Sequence, residues 1–232
     1  MRRTFVTLIS TQAVVLVLAC HVQARGAKAR YAAMAPLNQY LIANRDAEIT
    51  LARSAAPTSI SGGAEILVLG RHGYETAVKG TNGFVCLVER SWDAAPDDPV
   101  FWNPKVRGPD CLNPAAARSF LPIIIAKTKL ALAGKSTTQI ADAINAAFHQ
   151  KKLPVLEAGA LGYMLSKDGY LGDQAGHWHP HLMFFVQAAE AKAWGAGLTG
   201  SPMLASVDEQ EKMTIVMIPV ARWSDGTPDS KK

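Results

Sequence analysis

The chain has 232 residues, 49% of them hydrophobic, with 24 Lys and Arg against 19 Asp and Glu, a formal charge of +5. That length supports one domain with a sizeable core. The basic residues are scattered, which excludes the clustered basic face of a nucleic-acid-binding domain.

Arg2 and Arg3 precede an apolar stretch from Phe5 to Ala19, and Val22-Gln23-Ala24 offers small residues for cleavage. This is the layout of a secretory signal peptide over residues 1–24. Thr7, Ser10, Thr11 and Gln12 interrupt the stretch, which falls short of the roughly 20 apolar residues of a membrane span. An uncleaved anchor is one alternative. Lipidation is another, because Val17-Leu18-Ala19-Cys20 resembles a bacterial lipobox with Cys20 as the acylated residue. Export to the periplasm or beyond removes ATP and nicotinamide chemistry from the expected functions. The mature chain is expected to be soluble, with no later run of spanning length and a charge of +3.

Residues 25–45 are Ala-rich and read as a mobile arm with a short helical piece at 37–42. Asp46 is placed to cap a helix over 47–55, stopped by Pro57. Residues 66–69, 74–79 and 84–88 read as strands. Gly80-Thr81-Asn82-Gly83 joins the last two as an expected hairpin. Residues 92–114 form a Pro- and Asp-rich loop. Asn113 with Pro114 then starts a helix that runs, kinked at Pro122, to Ala133. Ser136 and Gln139 make a capping box for a helix whose apolar stripe is Ile140, Ala143, Ile144, Ala147 and Phe148.

Three more strands are expected at 161–166, 179–186 and 213–220, and the tail 224–232 reads as frayed. Strands in runs with helices inserted between them predict an α+β fold. It would be a single domain over 46–223, with a mainly antiparallel sheet and two or three packed helices.

With Cys20 removed, Cys86 and Cys111 remain, and two cysteines in an oxidising compartment predict a disulfide. Closing about 26 residues would stabilise the fold by roughly 3–4 kcal/mol. The run from Gly73 to Cys86 contains Gly-Thr-Asn-Gly-Phe-Val-Cys, followed by a Pro/Asp-rich loop and a second cysteine. It resembles a segment of uncharacterised exported bacterial proteins, as does Ala160-Leu161-Gly162-Tyr163-Met164-Leu165. The resemblance implies export, the disulfide and a single domain, and carries no activity with it.

The sharpest candidate site is His177-Trp178-His179-Pro180-His181. On a strand all three imidazoles share a face, and residues two apart are separated by about 6.6 Å. One divalent transition metal would then use His177 with His179, or His179 with His181, as in a hydrolase with an open position. The outer pair, about 13 Å apart, is too distant to share an ion. A third ligand would come from Asp173, Glu75 or His72. The plainer alternative packs these histidines around Trp178 at a strand entrance marked by Pro180.

Arg71-His72-Gly73 resembles the motif of the histidine phosphatases, in which Arg clasps a phosphate and His attacks it. Here a hairpin-like run follows instead of a phosphate loop entering a helix. Gly134-Lys135-Ser136-Thr137 has Lys129 where a P-loop needs glycine, and reads as a turn between helices. There is no Gly-x-Ser-x-Gly elbow and no Cys-x-x-Cys-His. The expectation is an exported binding or structural module for a small molecule or an envelope partner. A metal-dependent hydrolase and a phosphatase using Arg71 and His72 are the alternatives.

Overall fold

Four consecutive apolar residues, Ile66 to Leu69, suit a strand buried on both faces, and all four are buried. A computed structural model describes residues 31–172, 179–208 and 211–230. In it β1 (Glu65–Gly70) turns at Arg71 and His72 into β2 (Gly73–Val78), antiparallel, with Gly70 opposite Gly73. This tight hairpin occupies one side of β1, so β3 (Val85–Glu89) pairs with the other side, in parallel.

The hairpin expected between the second and third strands is therefore not formed. Its Gly-Thr-Asn-Gly run wraps around the start of β1 instead. Thr81 N–H donates to the Gly63 carbonyl at 2.8 Å, and Glu65 N–H to that of Phe84 at 2.8 Å. The Asn82 amide donates to the Ile60 carbonyl at 2.7 Å. Gly80 passes so close that a Cβ there would lie 2.3 Å from the Glu65 nitrogen.

The sheet continues with β4 (Gly108–Leu112), β5 (Leu161–Met164) and β6 (His181–Gln187). Then β8 (Met213–Pro219) lies inside β7 (Leu204–Asp208), giving the order β2-β1-β3-β4-β5-β6-β8-β7. Every neighbouring pair except β1 with β3 is antiparallel. Cys111 lies in β4, within the region expected to be a loop. It stands directly opposite Cys86 and is bonded to it, so the disulfide staples two adjacent strands.

Five helices accompany the sheet, more than the expected two or three. They are α1 (Arg45–Arg53), α2 (Thr58–Ser61), α3 (Pro114–Ser119), α4 (Leu121–Leu132) and α5 (Thr137–His149). The helix expected to kink at Pro122 breaks at Phe120, because proline cannot donate the bond that would join the two turns. Asn44, not Asp46, caps α1, accepting from the N–H groups of Asp46 and Ala47. Asn113 caps α3, and the Ser136–Gln139 capping box is formed in both directions. The chain is an α+β fold with a mostly antiparallel sheet.

Two cores result. On one face Ala52, Ala55 and Ala56 pack over Ile66, Cys86, Val88 and Cys111. On the other, Phe120, Ile123, Ile124, Ile140 and Ile144 cover Leu87, Leu112, Met183 and Phe185. Each fully buried aliphatic side chain there contributes about 1.5–3 kcal/mol.

Two expectations about the ends are corrected. The described part of the arm is docked: Tyr40 is fully buried and its hydroxyl donates to the Trp102 carbonyl at 2.9 Å. The tail is fastened as far as Asp229. Ser224 N–H donates to the Leu165 carbonyl at 2.9 Å, Asp229 N–H to that of Ala221 at 2.9 Å, and Lys167 pairs with Asp225. Among the described residues no helix is long and apolar enough to cross a membrane.

Candidate functional site: a methionine-lined cavity with unpaired carboxyls

Alternation along the strands places Leu87 and Glu89 of β3, Asp110 of β4, Met164 of β5 and Met183 of β6 on one face. At the end of the sheet where β3, β5 and β8 finish and β4, β6 and β7 begin, this face borders a cavity of about 440 Å³. Such a volume lies within the range of about 300–1,000 Å³ usual for ligand pockets. Its apolar wall comprises Met164, Met183, Met217, Ile215, Leu204 and Leu171. Its polar end comprises Glu89, Ser91 and Asp93, where β3 ends and the chain leaves it, with His181 at the start of β6 and His179 just before it.

The cations near the polar end are committed elsewhere. The buried Arg90 guanidinium pairs with the buried Glu48 carboxylate at 2.7 Å. It also donates to the Tyr40 carbonyl at 2.8 Å and to the Val88 carbonyl. Glu48 in turn accepts from Leu69 N–H at 3.1 Å. The buried Lys127 ammonium pairs with Glu211 at 2.6 Å and donates to the carbonyls of Asp93 and Ala94 at 3.1 and 2.9 Å. Its three donors are thus used. Arg107 donates to the carbonyls of Pro104, Val106 and Gln39.

Asp93 Oδ2 accepts from Arg90 N–H at 3.0 Å, but several other buried oxygens here have no partner among the described residues. Glu89 Oε1, Asp93 Oδ1, Ser91 Oγ and both carboxyl oxygens of Asp110 are shielded from solvent without a hydrogen bond. Burial pushes Glu89 well above the usual carboxylate range, and the charges of Asp110 and Asp93 push it further. Burial also raises Asp110 to about 8, and raises Asp93 to about 7 against the pull of Lys127. Such groups hold protons near neutrality and are the kind of perturbed cluster that marks a site.

The histidine run is only partly within view. His177 and Asp173, with Trp178, lie outside the described residues. His181 N–H at Nδ1 donates to the His179 carbonyl at 2.8 Å, which puts the lone pair of the neutral ring on Nε2. Burial lowers the pKa of His181. His179 pairs through Nδ1 with Asp229. Pro180 does stand at the entrance of β6.

The other proposed ligands are not brought to these histidines. Glu75 is on β2, five strand spacings or roughly 24 Å across the sheet from β6. Glu75 is also ion-paired with Arg45. Arg71 and His72 are the exposed pair at the β1–β2 turn. Among the described residues no group of three His, Cys, Asp or Glu side chains is placed to hold a metal.

Sequence reasoning missed Glu89, Ser91, Asp93, Asp110 and the three methionines. The signal available was Glu89-Arg90-Ser91-Trp92-Asp93, a charged run that ends an apolar strand. Comparison with known protein families, curated proteins and solved structures finds no match.

Proposed function

We propose that this chain is an exported binding module of the bacterial envelope that takes a small, largely apolar molecule in the methionine-lined cavity. The observation that carries this reading is the cavity itself. It has a flexible thioether wall on three strands, closed at one end by Glu89 Oε1, Ser91 Oγ and Asp93 Oδ1, which have no hydrogen-bond partner among the described residues. Methionine adapts to irregular ligands, and the polar end fixes orientation. The Cys86–Cys111 disulfide supports an oxidising compartment, and the apolar leader with Arg2 and Arg3 supports the route to it.

The test uses the neutral fluorophore N-phenyl-1-naphthylamine. Saturable one-to-one binding, lost in Met217→Trp without loss of thermal stability, is expected. Binding that is absent, or indifferent to Met217→Trp, overturns the reading.

A second reading, a soft transition-metal site, is favoured by one observation: His181 stands opposite Met164 in the sheet, and both line this cavity with His179. Stoichiometric metal in the purified protein, lost in His181→Ala, would select it.

A further inference from the structure

The polar end of the cavity presents an imbalance that points to the charge of its occupant. Glu89 Oε1, Ser91 Oγ and Asp93 Oδ1 belong to residues that line it, and each is shielded and unpartnered. Ser91 is 1% exposed. All three atoms accept hydrogen bonds, and two belong to carboxyls. Arg90, Lys127 and Arg107 direct their donors to Glu48, Glu211 and backbone carbonyls. His181 commits its Nδ1 proton to the His179 carbonyl.

We infer that the ligand of this cavity is an organic amine, whose ammonium group lies against Glu89, Ser91 and Asp93 and whose apolar body lies on the methionines. The inference rests on the cavity being a binding site, as proposed above. An ammonium group carries three N–H donors, which matches the three unpartnered acceptors, and it adds positive charge to that of Lys127 and Arg90, which pull on these carboxyls without bonding the three atoms. A hydroxyl supplies one donor and no charge. A carboxylate brings neither a donor nor a positive charge. A hydrated metal ion would meet the acceptors but not the wall of Met164, Met183 and Met217, which suits an alkyl or aryl body.

Calorimetric titration of the purified protein with n-octylamine, 1-octanol and nonanoate at pH 7 tests this, since the three probes share an octyl chain and differ in head group only. The amine is expected to bind about 10-fold or more tighter than the alcohol, with the carboxylate weakest. Glu89→Gln is expected to lower amine affinity by about 10- to 100-fold while changing that of the alcohol by less than about threefold. A cooperative melting transition no lower than that of wild type shows that the variant folds. Alcohol or carboxylate binding as tight as the amine overturns the inference, as does an amine affinity unchanged in Glu89→Gln. If the naphthylamine fluorophore binds and octylamine does not, the cavity stands and the cation falls. If neither binds, both fall.

Discussion

Buried carboxyls without countercharges make stability fall as pH rises. Asp110 is fully buried with both oxygens unbonded, and Glu89 is its diagonal neighbour on the same face of β3 and β4. In the unfolded chain both would lose their protons near pH 4. In the folded chain burial holds the Asp110 proton to about 8, and Glu89 is raised as well. Between those limits the native state binds more protons than the unfolded state, so the unfolding free energy declines with pH. One retained proton gives a slope of about 1.4 kcal/mol per pH unit, or about 2.7 kcal/mol between pH 5 and pH 7. Asp93, raised to about 7 by burial, acts in the same sense. His181 acts in the opposite sense, because burial lowers its pKa, but it is common to wild type and variant. The informative perturbation is Asp110→Asn, which keeps the shape and removes one carboxyl and its repulsion of Glu89. Urea unfolding at pH 5, 6 and 7 is expected to show wild-type stability declining, and a slope in the variant shallower by about 1.4 kcal/mol per pH unit, the share of one retained proton. The variant should overtake wild type by pH 7. A wild-type stability that is flat or rises with pH, or a variant that keeps the full slope, refutes the reasoning.

Removing the staple between β3 and β4 with Cys86→Ala and Cys111→Ala should cost about 3–4 kcal/mol, since the closed segment has a sequence separation of 25. Denaturant midpoints of oxidised wild type, reduced wild type and variant measure it, and a loss below about 1 kcal/mol would count against the entropic account. Gly80→Ala should destabilise by about 3 kcal/mol or more, because the new methyl group would sit 2.3 Å from the Glu65 backbone nitrogen and one segment must move. A melting temperature equal to wild type would show that the wrap around β1 is looser than described.

Much of the fold is legible in the sequence because its signals are local. The Asn113 cap, the Ser136–Gln139 box and the apolar runs of β1, β3, β5, β6 and β8 each depend on residues within one turn or one strand. The misreadings share a cause. Gly-Thr-Asn-Gly has the composition of a two-strand turn, but which strands pair is settled by the Gly70–Gly73 hairpin seven residues earlier. Gly108-Pro109-Asp110-Cys111 lacks strand propensity, and it becomes β4 because Cys111 is tied opposite Cys86 and both neighbours supply ladders. The site was illegible for a related reason. Met164, Met183 and Met217 are isolated letters in three distant strands, and only the register of β5, β6 and β8 sets them side by side. The histidines of 177–181 are close in sequence, but the sheet does not bring His72 or Glu75, at its other edge, to His179 and His181.

Two glycines show that the polar end of the cavity is built into the strands. Gly108 and Gly162 lie within β4 and β5, where glycine weakens a strand, and neither has the left-handed φ that would demand it. Both are explained by room. A Cβ at Gly162 would lie 2.5 Å from Asp110 Oδ1, so the absence of a side chain there is what admits the buried carboxyl. A Cβ at Gly108 would lie 3.2 Å from Met164 Cε and 3.5 Å from Glu89 Cβ, between the apolar wall and the acidic end. If Asp110 were an incidental burial, a larger residue at 162 that displaced it would relieve an unpaired carboxyl and be tolerated. The fold instead gives up strand propensity at two positions on either side of Asp110, keeping it next to Glu89 and Glu89 open to the cavity. That arrangement is costly for an empty scaffold, and it becomes economical when a cation from outside the chain completes it.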